Sequence, residues 1–130
     1  RGLEAPSWQE CVVLFNRYGA LQHLAEHIPV PPDRERLPQA TYDDALRRLV
    51  ACPSALVLVL RCWPPEIYSA PALQEQLRRG LPDLGSASVA ELGPEDRRRV
   101  EALALLAAGG DDLREAARLL LELASPEVFP

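Results

Sequence analysis

The sequence contains no lysine and no methionine, and all 14 of its basic side chains are arginine. Without lysine there is no Gly-x-x-x-x-Gly-Lys loop to cradle nucleotide phosphates, and the 7 glycines are scattered rather than clustered. Basic charge is also in the minority. Against those 14 arginines stand 19 acidic side chains, giving a net charge of −5, which excludes a strongly basic nucleic-acid module. Cysteine is scarce: Cys11, Cys52 and Cys62 are odd in number, irregularly spaced, and each set in an apolar run. This excludes a disulfide-dense scaffold and predicts buried free thiols in a reducing compartment, cytoplasmic or nuclear. No apolar run approaches the roughly 20 residues that a membrane span requires. None of the serines stands in a Gly-x-Ser-x-Gly elbow, so no nucleophile is indicated.

What is present is 130 residues, 48% of them apolar. A chain of this size buries roughly two thirds of its unfolded surface and folds on packing alone, so residues 1–130 are read as one domain. The opening Arg1-Gly2-Leu3, without Met, reads as part of a longer protein.

The apolar residues recur with helical spacing. Ser7 and Glu10 form a capping box ahead of a helix that starts at Trp8 and carries Trp8, Cys11, Val12 and Phe15 on one face, with Gly19 as its left-handed stop. Leu21, Leu24, Ala25 and Ile28 predict a second helix that ends at Pro29, and residues 29–38, rich in proline, predict an exposed, stiffened loop. Thr41 with Asp44 signals a third cap, followed by the stripe Tyr42, Ala45, Leu46, Leu49, Val50. The run from Ala55 to Leu60 suits a buried strand or a buried helix. Helix is chosen, starting at Ser54, because no second strand-like run exists to pair with it. Ser69 and Pro71 open the next helix, with Leu73 and Leu77 inward and Arg78-Arg79-Gly80 at its end. After a loop through Pro82 and Gly85 and a turn at 89–92, Gly93-Pro94-Glu95-Asp96 announces a helix bearing Val100, Leu103, Leu106 and Ala107, stopped by Gly109-Gly110.

Asp111-Asp112 caps a last helix over residues 112–124. Its polar residues fall in one arc, with Leu113, Ala116, Ala117, Leu120 and Ala124 as the central apolar stripe and Leu119, Leu123 and Leu121 widening it. So wide a face predicts either the middle helix of the bundle or a flank covered by a partner. The segments Tyr42 to Val50 and Leu113 to Leu121 echo each other in register, 71 positions apart, as stacked helix pairs would. Gly110-Asp111-Asp112 with Ala116, Leu120 and Pro126 resembles the tetratricopeptide-like and coat-protein α-solenoids. That resemblance implies a protein-binding scaffold without catalysis. Val100 to Ala108 lacks the Trp, Gly and Tyr of that family, so a HEAT-like pair or a plain bundle stays open. The fold is read as all-α, six or seven helices in antiparallel pairs, a helical bundle or short α-solenoid.

Three constellations bear on function. His23-Leu24-Ala25-Glu26-His27 has the H-x-x-E-H form of an inverted zinc protease motif, with His23 and His27 as ligands and Glu26 as general base, against a plain reading as surface histidines. Arg97-Arg98-Arg99 is the one basic run, and either contacts phosphate or forms a solvated face. Leu119, Leu123, Trp63 and the terminal Val128-Phe129 are apolar side chains that serve as core or as partner anchors.

The reading is a noncatalytic scaffold or adaptor domain, without a cofactor, that holds a protein partner within an intracellular multi-subunit assembly. Leu119, Leu123 and Trp63 are its anchors, and Arg97, Arg98 and Arg99 its charged rim. The alternatives are nucleic-acid binding through the arginine run and a zinc-dependent hydrolase through the histidines. On this reading Leu119→Glu with Leu123→Glu abolishes partner binding and leaves circular dichroism unchanged; loss of helicity instead places both leucines in the core.

Overall fold

The computed structural model is all-helical. It describes residues 6–81 and 92–128, with the side chains of the last helix as far as Leu123. The loop and turn expected within 82–91, and Phe129, lie outside the described residues. The helices are α1 (Trp8–Arg17), α2 (Leu21–Ala25), α3 (Gln39–Leu49), α4 (Pro53–Cys62), α5 (Ala70–Gly80), α6 (Pro94–Gly109) and α7 (Leu113–Val128), with a 3-10 turn at Pro65–Ile67. Among the described residues no helix is long and apolar enough to cross a membrane.

Several ends form as their residues dictate. Ser7 and Glu10 make the reciprocal capping box on α1, and Gly19 takes the left-handed conformation, φ 69°, just after that helix. The 55–60 run is helix, with Pro53 in the first turn, one residue ahead of the expected Ser54 start. Other ends differ. Thr41 is not a cap: α3 begins two residues earlier, the Thr41 N–H donates to the Pro38 carbonyl, and its side chain is buried. Pro38 stands at the N-cap with φ −56° and ψ 142°, and no side chain caps the helix. Ser69 stands at the N-cap of α5, but its side chain caps nothing; its own N–H is held by Asp43 Oδ1 of α3 at 2.7 Å. Asp112 does cap α7, its Oδ1 accepting from the Glu115 N–H. That helix runs past the expected end at 124, through Pro126 to Val128.

The extensive helix contacts follow chain order. In one row α1 packs on α3 and α3 on α5; in a second, α2 packs on α4 and α4 on α6; cross-contacts join α1 to α2, α2 to α3, α3 to α4, α5 to α6 and α6 to α7. Each helix thus takes its main neighbours from those one or two places away. α6 is the covered helix: Ala102, Leu103 and Ala104 are all buried, and three consecutive positions span most of the helix circumference. The wide apolar face of α7 therefore does not mark it as the middle helix. α7 lies at the end of the order, with α6 as its one extensive neighbour among the described residues.

The loop 29–38 is less exposed than its prolines suggest. Residues 32–36 are in solvent, but Pro29 is buried and Val30 and Leu37 pack on the core. Tyr42, fully buried on α3, holds both ends: its hydroxyl donates to the Pro29 carbonyl at 2.6 Å and accepts from the Leu37 N–H at 2.9 Å. Tyr42→Phe leaves both backbone groups without that partner at no change in packing volume. It is expected to cost about 2 kcal/mol, read as a lowered urea midpoint with unchanged helicity.

Candidate interaction surface

The expected apolar anchors are core. Trp63 is 5% exposed and meets the Tyr42 ring edge to face, centroids 5.2 Å apart at 72°. Leu119 is 1% exposed, and Leu123 is half-buried against the same cluster. The reason is rotation: α7 turns Ala116, Leu119 and Leu123 inward, so the buried face joins Ala116 of the expected centre to Leu119 and Leu123 of the expected margin. Of the residues expected at its centre Ala116 is buried, but Leu113, Ala117 and Leu120 turn outward, as does Leu121 of the expected margin. Leu113, Leu120 and Leu121 are 66%, 49% and 56% exposed, and Ala117 is exposed beside them. Leu119→Glu with Leu123→Glu is thus a core disruption, and the accessible apolar face of α7 is Leu113, Ala117, Leu120 and Leu121.

The internal echo held a signal for this face. Tyr42, Leu46 and Leu49 of α3 correspond to Leu113, Ala117 and Leu120 of α7, 71 positions on. In α3, which has neighbours on several sides, all three are buried; in α7 all three are exposed. At the other end of the packing order α1 also leaves apolar side chains in solvent, with Leu14, Phe15 and Tyr18 exposed and Tyr18 the most so at 80%. Phe15 was expected on the inward face; only Val12 of that stripe is fully buried, with Trp8 and Cys11 half-buried.

Arg97, Arg98 and Arg99 do not form one track. Arg97 donates to the Leu123 carbonyl of α7 at 2.8 Å, and Arg98 to Glu101 Oε1 at 2.8 Å. Arg99 reaches the Val50 carbonyl after α3 at 3.0 Å and Asp96 Oδ1 at 2.7 Å. Arg97 and Arg99 are half-buried, and only Arg98 is exposed. Three successive helical positions point three ways, and two of these guanidiniums bind backbone carbonyls of other elements.

His23 and His27 do not share a helix. α2 ends at Ala25, and His27 stands in the following turn, where its Nε2 lies 3.4 Å from Glu26 Oε1 with both side chains largely in solvent. Among the described residues no group of three His, Cys, Asp or Glu side chains is placed to hold a metal ion. The three thiols are free, Cys11 and Cys52 half-buried and Cys62, against expectation, exposed at the end of α4.

A groove of about 610 Å³ lies between α3 and α5, floored by Leu46 and Leu73 and rimmed by Asp43, Asp44, Arg47, Glu75 and Arg79. Its charged groups are engaged with one another. Asp44 accepts from Gln9 of α1 at 2.9 Å, from Arg48 at 3.0 Å and from Arg47. Gln76 of α5 donates to the Arg47 carbonyl, and Arg79 pairs with Glu75. Burial alone raises the Asp44 carboxyl, but the hydrogen bonds from Gln9, Arg48 and Arg47 outweigh it and hold the group below the usual carboxylate value. The groove is a polar clasp joining α1, α3 and α5.

No family model matches the chain, and neither a curated protein nor a solved structure does.

Because the folded-state pKa of Asp44 lies below its unfolded value, its contribution to stability is full above about pH 4 and is lost as pH falls through the folded value. Asp44→Asn is expected to lower stability by about 1–2 kcal/mol at neutral pH. In urea titrations its deficit against wild type shrinks as pH falls below 4.

Proposed function

We propose that this domain is a noncatalytic protein-interaction module, a helical scaffold that holds another protein through the open face of α7. The observation that carries this reading is the exposure of Leu113, Leu120 and Leu121 on one face of an end helix, at positions whose counterparts, Tyr42 and Leu49 in α3 and Val50 just after it, are covered or half-covered. Scattered single leucines on a surface carry no such meaning, but three on one helix face, with Ala117 between them, make a contiguous strip. The physics is that of helix packing: a strip of leucines beside a small residue lets another helix approach closely, and Arg114 at its margin offers charge selection at the rim. Membership of a multi-subunit assembly follows from the same reading, since a face of this kind gains its stability only when covered.

Leu120→Asp combined with Leu121→Asp tests the proposal. Both positions are exposed, so helicity and urea midpoint are expected to stay within about 0.5 kcal/mol of wild type. A protein recovered from cell extract by the immobilised wild-type domain, and resistant to high salt, is expected to be lost with the variant. Equal recovery by both overturns the assignment of this face.

A further inference from the structure

We draw no further inference here: the strongest candidate, the pair of open apolar faces on α1 and α7 at the two ends of the packing order, carries nothing further because nothing in the structure shows what covers them.

Discussion

A segment rich in proline has few hydrogen bonds of its own to fasten it, because each proline lacks the N–H that a turn or ladder would use. Residues 29–38 carry four of them, and the chain must cross this segment before α3 can pack on α1 and α2. Tyr42 resolves the constraint from the far side. Its ring lies edge-on to Trp63 at the end of α4, and its one hydroxyl serves both as donor to Pro29 and as acceptor from Leu37. Two side-chain-to-backbone hydrogen bonds inside the core cost little in water competition, since the hydroxyl is shielded and both of its partners are fixed. The same helix contacts α1, α2, α4 and α5, so the placement of most of the molecule passes through the residue that anchors this loop.

Arginine does the remaining fastening. Arg34 donates to the His27 carbonyl, Arg36 to that of Glu66 and Arg99 to that of Val50, three carbonyls at or near element ends, and Arg97 to that of Leu123 inside α7. A helix leaves its last carbonyls without intrahelical partners, and a planar fork of five donors can satisfy one of them while keeping a carboxylate on its other edge, as Arg99 does with Asp96. A lysine ammonium offers no such fixed geometry. In a chain whose cations are all arginine, the 97–99 run is three separate ties.

The packing order explains where apolar surface remains. α3 has extensive neighbours before and after it in its own row and in the facing row, and α6, which packs on α4, α5 and α7, is covered nearly all round. The outer faces of α1 and α7 lack a following neighbour, and there leucines and aromatics stay in solvent. The polar clasp of Asp44, Gln9, Arg47 and Arg48 closes the α1 to α3 seam from the side, leaving the apolar contribution of that seam to the core.

The sequence by itself determined the elements. The Ser7-Glu10 box, Gly19, Pro53-Ser54, Pro94 with its acids, and Asp112 mark helix starts and stops through local backbone chemistry that needs no neighbour, and the lack of a pairing partner makes 55–60 helical. Periodicity likewise determined the inward stripes of α2, α3 and α5, because each has one apolar arc and one polar arc. On α7 more than half the circumference is apolar, so spacing cannot say which part faces the core; only the seating of Ala116, Leu119 and Leu123 on α6 decided it, and so exchanged the expected anchors Leu119 and Leu123 for Leu113, Leu120 and Leu121. The same holds for Trp63, whose fate depends on Tyr42 reaching it across the fold, and for Thr41, which is an interior residue because α3 starts at Gln39 and turns it toward the core. Local chemistry fixes what a segment becomes; which face of it meets water is settled by whatever the rest of the chain brings alongside.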